Sequence, residues 1–160
     1  MTAQIANGGY KIYPKIIIDD SINEDDKFQS LVNQTNNIKI IQDAMFSSTN
    51  ELRGTSYKSR LDDPKYQFAG KTGTAQVKRI TEKDRELDLE TSEIPYEERD
   101  HALYIAFEPY KNPRYAISIL IEHGGSGSSV AAPLAKKLFK KIIDRHEIRK
   151  NFESNKYLNI

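Results

Sequence analysis

The sequence contains two extended stretches, His101-Ala102-Leu103-Tyr104-Ile105-Ala106-Phe107 and Tyr115-Ala116-Ile117-Ser118-Ile119-Leu120-Ile121, separated by the turn-forming Tyr110-Lys111-Asn112-Pro113-Arg114. Both stretches are rich in β-branched and aromatic residues, and the Asn-Pro pair between them is typical of a turn. They predict an antiparallel hairpin. Since the other predicted elements also follow one another without crossover connections, the chain is expected to form an antiparallel sheet covered by helices, an α+β fold.

Four elements are predicted before the hairpin. Helix-forming Thr2–Ala6 ends at once in asparagine and glycine. Tyr10–Ile18 predicts a strand in which Pro14 marks an edge or a break. Apolar residues recur at helical spacing up to a polar end, which predicts a helix over about Lys39–Asn50, and Tyr66–Val77 has extended character.

After the hairpin, Gly124–Ser129 predicts a turn from strand to helix, with the last serines as caps. The helix that follows is predicted to be amphipathic and to end near Arg145, because apolar residues recur on one face and lysines on the other. The predicted apolar face comprises Val130, Ala131, Leu134, Ala135, Leu138, Phe139 and Ile142, and the other face carries Lys136, Lys137, Lys140 and Lys141.

The length of 160 residues suits one domain or part of one. We expect a partial domain over residues 1–146 and a frayed C-terminal tail over residues 147–160. Residues 80–100 form a charge-dense insertion with few apolar anchors, which predicts a mobile, solvated flap.

Composition excludes several classes of function. Lysine and arginine number 24 against 23 acidic residues, a formal charge of +1, so no nucleic acid partner is expected. Without cysteine there is no disulfide, thiolate nucleophile or cysteine zinc site. His101, His123 and His146 lack metal-ligand spacing, and neither a metal nor a cofactor is predicted. The opening residues do not look like a signal peptide, and no apolar run is long enough to span a bilayer.

Lys71-Thr72-Gly73-Thr74 is the most informative motif for function, because it places a cation, two hydroxyls and a glycine on a predicted strand. A phosphate-binding loop would need a glycine where Lys65 stands and a helix after the motif, so nucleotide binding is disfavoured. So short a string could also be an ordinary strand. The triplet of lysine, threonine and glycine is, however, known from penicillin-reactive serine acyltransferases, where it accompanies S-x-x-K and S-x-N elements.

The surrounding chain carries a family resemblance. Phe68–Val77, Asp100–Pro109, Ile121–Pro133 and the opening Met1–Gly9 together resemble the C-terminal part of the transpeptidase domain of class B penicillin-binding proteins, most closely the elongation type. The resemblance implies the penicillin-binding, serine β-lactamase-like transpeptidase fold and a peptidoglycan D,D-transpeptidase that cross-links stem peptides by acyl transfer. It also implies a parent protein in the inner membrane that faces the periplasm and works with the cell-elongation machinery.

The same resemblance implies roles for four residues. Lys71 would present a cation to the serine of the S-x-N element and to the substrate carboxylate. The hydroxyls of Thr72 and Thr74 would bind the terminal carboxylate of D-Ala-D-Ala or of a β-lactam, and the Thr74 backbone N–H would donate to the oxyanion. A side chain at Gly73 would obstruct a peptide added along the strand.

The sequence departs from the family pattern in one decisive respect. It contains no S-x-x-K element, so it lacks the nucleophile and its lysine. Ser21-Ile22-Asn23 and Ser48-Thr49-Asn50 are rejected as the S-x-N element because one lies in an acidic loop and the other ends a predicted helix. We therefore predict that residues 1–160 alone are inactive. The alternative is a non-catalytic remnant or split-gene product of the same family.

Overall fold

The computed structural model describes residues 1–14, 16, 29–79, 82 and 89–158, with the backbone alone for residues 152–158. Its main elements are helices and strands. The helices are α1 (Thr2–Ala6), α2 (Thr35–Asn50) and α3 (Ala132–Leu158), and the strands are β1 (Ala69–Ala75), β2 (His101–Glu108) and β3 (Tyr115–Ile121).

The three strands form one antiparallel sheet in the order β1-β2-β3. Ile105 lies at its centre, opposite Lys71 on one side and Ser118 on the other. The predicted hairpin and the predicted α+β class are therefore confirmed. Strand β1 forms one edge of the sheet, and no strand of the described residues pairs with its other side.

Two apolar clusters hold helices against the sheet. On β2, alternate residues belong to different clusters, as expected when successive side chains point to opposite faces. Small side chains predominate in the cluster toward α3, so that helix approaches the sheet closely. That cluster comprises Phe68, Ala102, Tyr104, Ala106, Ala131, Ala132, Ala135 and Phe139, and the cluster toward α1 and α2 comprises Ala6, Met45, Ala69 and Phe107.

The buried face of α3 differs from the predicted one. Ala131, Ala135 and Phe139 are buried as predicted, but Leu134 and Leu138 are 40% and 45% exposed, whereas Ile143 is buried. The buried residues Ala135, Phe139 and Ile143 follow one another at intervals of four along the helix. Leu134 and Leu138 lie at the edge of the face that these residues form, and the described residues cover that edge only in part.

Helix α3 also continues beyond its predicted end. It is helical through Leu158, whereas the sequence predicted an end near Arg145 followed by a tail over residues 147–160. No glycine or proline interrupts this stretch. Side-chain contacts hold the start of this stretch against the domain: Lys65 pairs with Glu147, and His146 Nδ1 lies 2.9 Å from the Tyr115 hydroxyl.

The elements near the N-terminus are confirmed in part. Helix α2 ends at Asn50 as predicted but begins four residues earlier, at Thr35. The strand predicted over Tyr10–Ile18 is not formed in residues 10–14, where Tyr10 makes an isolated antiparallel bridge to Ser30. Pro14 has no N–H to donate, and Tyr13 is 52% exposed, so this stretch lacks a packed face. Residues 15, 17 and 18 lie outside the described part.

The later half of the predicted insertion is anchored to the sheet. Asp100 accepts a hydrogen bond from the Gly125 backbone N–H through its carbonyl (2.8 Å) and one from the Val77 N–H through its carboxylate (3.2 Å). Lys78 and Glu98 form an ion pair. Residues 80, 81 and 83–88 of the insertion lie outside the described residues. Among the helices that the structure describes, none has both the length and the apolar character needed to cross a bilayer.

Candidate active site

The motif Lys71-Thr72-Gly73-Thr74 lies in the middle of the edge strand β1. It pairs residue by residue with β2, from Lys71 opposite Ile105 to Thr74 opposite Ala102. Lys71 and Thr74 are exposed, and the two residues between them are half-buried. The four residues therefore form an accessible edge, to which an extended peptide could add as a further strand.

The Lys71 ammonium group lies along its own strand. Its Nζ donates hydrogen bonds to the Thr72 carbonyl oxygen at 2.9 Å and to Thr72 Oγ1 at 3.3 Å. Lys71 makes no ion pair with any residue that the structure describes, unlike Lys39, Lys65 and Lys78. Its charge is thus available to an anionic ligand at the strand edge.

A series of hydroxyl groups supports Thr72 from behind. Thr72 Oγ1 lies 3.3 Å from Thr55 Oγ1, which lies 3.1 Å from Ser48 Oγ. Sequence reasoning missed Thr55, which lies in the turn that follows α2. A hydroxyl in that turn was the available signal, but nothing in the sequence connects it to Thr72.

Tyr104 of β2 also packs directly against strand β1. Its ring passes so close to Gly70 that a Cβ there would lie 2.2 Å from the hydroxyl oxygen. The hydroxyl is hydrogen-bonded at 3.0 Å to Thr49 Oγ1 and at 3.0 Å to Ser56 Oγ. Burial raises the pKa of Tyr104, so this phenol stays protonated and can donate. Tyr104 thereby ties the sheet to α2 and to the turn that holds Thr55.

Gly127 allows the π-helical turn Gly127–Ala131 to lie directly on β1 and β2. A Cβ at this position would come within 2.5 Å of the Leu103 carbonyl oxygen and 2.6 Å of the Gly73 carbonyl oxygen. Both obstacles are backbone atoms of the sheet and cannot rotate away. The turn therefore limits where Gly73, and with it the motif, can lie.

We expect Gly127→Ala to destabilise the chain by about 2–3 kcal/mol, because the added methyl group overpacks a backbone contact. Urea unfolding followed by circular dichroism measures the change. Ser129→Ala, at a neighbouring exposed position, is the matched control and should change the free energy of unfolding by less than about 0.5 kcal/mol. Equal unfolding midpoints for the two variants would contradict this account of Gly127.

An apolar hollow of about 540 Å³ opens beside Lys71. It lies between α1, α2 and the sheet, and Ile5, Ile41 and Ile105 line it together with Lys71 and Thr55. The apolar side chain of Ile41 on α2 is 42% exposed at this hollow. The Lys71 side of the sheet thus offers an apolar surface large enough to receive further side chains.

The remaining sequence candidates have structural surroundings. Asn50 of Ser48-Thr49-Asn50 donates through its side-chain amide to the Phe68 carbonyl oxygen at 2.9 Å, and Thr49 is buried. The other S-x-N string lies outside the described residues. The His101 and His123 rings pack edge to face, with centroids 4.9 Å apart. The backbone N–H of His123 donates a hydrogen bond to His101 Nδ1. Within the described residues, no three potential metal ligands cluster.

Comparison with known proteins identifies the family. The model of the penicillin-binding protein transpeptidase domain matches residues 1–140. The peptidoglycan D,D-transpeptidase MrdA of Salmonella typhimurium is 38% identical over 105 residues, which cover 66% of this chain but 16% of that protein. This chain thus spans about a sixth of the length of that curated relative.

Solved structures lead to the same family. The penicillin-binding protein 2 (PBP2) of Helicobacter pylori, in complex with MreC, has a TM-score of 0.70 and 30% identity, covering 89% of this chain and 23% of that one. The PBP2 of Pseudomonas aeruginosa, in complex with WCK 5153, has a TM-score of 0.65 and 31% identity, covering 88% of this chain and 28% of that one. Residues 1–160 therefore belong to the penicillin-binding protein transpeptidase family and correspond to a part of a PBP2-type transpeptidase domain.

Proposed function

We propose that the chain contributes one wall of the active site of a peptidoglycan D,D-transpeptidase of the elongation type. The observation that supports this most directly is the position of Lys71–Thr74 on an accessible sheet edge, with a lysine that no described carboxylate neutralises. A strand edge with a cation and two hydroxyls suits a peptide that ends in a carboxylate.

Within this site, Lys71 provides positive charge. It attracts the terminal carboxylate of D-Ala-D-Ala or of a β-lactam, and it favours proton transfer from a neighbouring serine hydroxyl. The Thr72 and Thr74 hydroxyls donate hydrogen bonds to the same carboxylate. The contact from Thr55 supports this role, because an acceptor or donor at 3.3 Å restricts the Thr72 hydroxyl to few orientations.

The Thr74 backbone N–H is one donor of the oxyanion hole. As acyl transfer proceeds, negative charge develops on the carbonyl oxygen under attack, and a fixed backbone donor stabilises it. Gly73 keeps the strand edge free of a side chain where the substrate lies. The backbone contacts of Gly127 support this arrangement, since they limit movement of the strand at Gly73.

The nucleophile comes from sequence that residues 1–160 do not include, since they contain no S-x-x-K element. A segment carrying that element would fit beside Lys71, where the apolar hollow lies. The complete protein would then attack the penultimate D-alanine carbonyl through its serine, release D-alanine, and pass the acyl group to an amine of a second stem peptide. It would do so at the periplasmic face of the inner membrane, together with the cell-elongation machinery.

A chimera tests this function. We expect a protein in which residues 1–160 replace the matching part of Helicobacter pylori PBP2 to be labelled covalently by fluorescent penicillin. Residues 1–160 alone should stay unlabelled. A folded chimera that does not react would contradict the proposed role of this chain and favour the second candidate, a non-catalytic remnant of the family. The missing S-x-x-K element is the observation that favours that candidate.

A further inference from the structure

Four lysines line a groove on the α3 side of the molecule, next to the hollow beside Lys71. Lys136, Lys137 and Lys140 of α3 face residues 52–61 across it, and Lys58 lies on the opposite side. The volume is about 1060 Å³. We call it the lysine groove. The sequence showed the helix lysines only as a charged face, and the structure adds the fourth lysine and the concave shape.

The positive charge of the lysine groove is not neutralised within the described structure. Among the residues that the structure describes, no acidic one lines it. None of its four lysines forms an ion pair with a described residue, although lysines elsewhere do, such as Lys39 with Asp43 and Lys78 with Glu98. Like charges gathered in one groove repel each other, so an acidic ligand would gain affinity by neutralising them.

The groove is apolar between the lysines. Leu52, Tyr57, Leu61 and Pro133 line it, and Leu52 is 80% exposed. Its volume is at the upper end of the range for small-molecule pockets. A single carboxylate would leave most of it empty, whereas a short peptide would fill it with both charged and apolar side chains.

We propose that the lysine groove binds an acidic peptide segment of a protein partner, in which glutamate or aspartate alternates with apolar residues. The concave shape favours a peptide over a membrane, because a lipid surface is flat and reaches convex faces. Alternation follows from the lining, where cations and apolar side chains both contact the ligand. An extended peptide presents two kinds of side chain in this way.

A ligand bound in the lysine groove would affect strand β1, which carries Lys71–Thr74. Gly54 and Thr55 line both the lysine groove and the hollow beside Lys71. Thr55 also contacts Thr72 through its hydroxyl. A peptide that moved residues 54–55 would therefore change the support of Thr72, which gives a partner a physical route to the proposed site.

Fluorescence anisotropy tests the proposal with the 160-residue chain and a short fluorescein-labelled peptide of alternating glutamate and leucine. We expect saturable binding that weakens at least about tenfold between roughly 0.05 M and 0.5 M sodium chloride. A peptide with glutamine in place of glutamate should not bind. Lys136→Glu/Lys140→Glu should weaken binding at least about tenfold. Lys136→Gln/Lys140→Gln provides a milder second variant and should weaken it as well.

The matched control is Lys111→Glu/Lys141→Glu, which makes the same change in net charge at exposed lysines outside the groove. It should retain binding within about twofold. Equal loss in the control and groove variants, with equal helicity by circular dichroism, would overturn the proposal. So would an absence of peptide binding, including the case in which the chain binds vesicles of phosphatidylserine and phosphatidylcholine instead. Because no penicillin is involved, the result is independent of the proposed transpeptidase function.

Discussion

Lys71→Ala should lower the rate constant for penicillin acylation of the chimera by about 100-fold to 1,000-fold, the effect of losing about 2.7–4 kcal/mol of transition-state stabilisation. The reason is electrostatic. The Lys71 ammonium is the cation of the motif, and no described carboxylate compensates it. In the site that we propose, its removal would take away both the attraction for the substrate carboxylate and the bias toward proton transfer. A time course of labelling with fluorescent penicillin, quenched at successive times, gives the rate constant.

The control for Lys71→Ala is Lys111→Ala, which removes the same charge from the exposed turn between β2 and β3. It should acylate at the rate of the unsubstituted chimera. Lys71→Arg keeps the charge with a different geometry and should give an intermediate rate, since a guanidinium group does not place its donors where an ammonium does. Equal acylation rates for Lys71→Ala and Lys111→Ala would contradict the proposed role of Lys71.

Glu108→Gln should stabilise the chain at high pH and leave it unchanged at low pH. Glu108 is fully buried at the end of β2, and neither carboxyl oxygen has a hydrogen-bond partner among the described residues. Burial, with a smaller contribution from the charge of Asp144, raises the pKa of Glu108 from 4.5 to about 8. The folded chain therefore keeps a proton on Glu108 at pH values where the unfolded chain has lost it.

The free energy of unfolding should fall as the pH rises through this interval, because the folded state binds more protons than the unfolded state. The contribution of Glu108 is fully present below pH 4.5 and is lost as the pH passes about 8. At pH 9, Glu108→Gln should be more stable than the unsubstituted chain by about 3 kcal/mol, a value below that of the full pKa shift because the protein relaxes around a buried charge. Urea unfolding at pH 5, 7 and 9 measures it.

Glu122→Gln is the matched control for Glu108→Gln, since Glu122 lies just after the same hairpin but is exposed. Its unfolding free energy should follow that of the unsubstituted chain at every pH. If Glu108→Gln also followed the unsubstituted chain, the carboxyl would be ionised in the folded state and satisfied by groups that the structure does not place beside it.

The sheet could be predicted from sequence because its signals are local. β-Branched and aromatic residues recur along β2 and β3, and the turn between them contains proline. Lys71–Thr74 were also found locally, as a short string inside a strand. The limits of the buried face of α3 could not be found in this way, because they depend on which apolar residues the sheet reaches: Leu134 and Leu138 stay 40% and 45% exposed beside the buried Ala135 and Phe139.

Contacts between distant residues explain what else was missed. Thr55, in the turn that follows α2, contacts Thr72 of β1. The four lysines of the lysine groove meet only when α3 packs beside residues 52–61. The sequence singled out nothing at Glu108, which is buried at the end of β2 within reach of the charge of Asp144 on α3. Each of these features arises from packing between elements, about which the order of residues in the chain carries no direct signal.

Mass spectrometry after penicillin treatment is the most direct test of the central claim. The claim is that residues 1–160 contribute one wall of the active site but not its nucleophile. Intact masses are compared for the chain alone and for the chimera, and peptide mapping locates any adduct. The chain alone should keep its mass, and the chimera should gain one penicillin on a serine outside residues 1–160. An adduct on any residue of this chain would show that the nucleophile lies within it and would contradict the account.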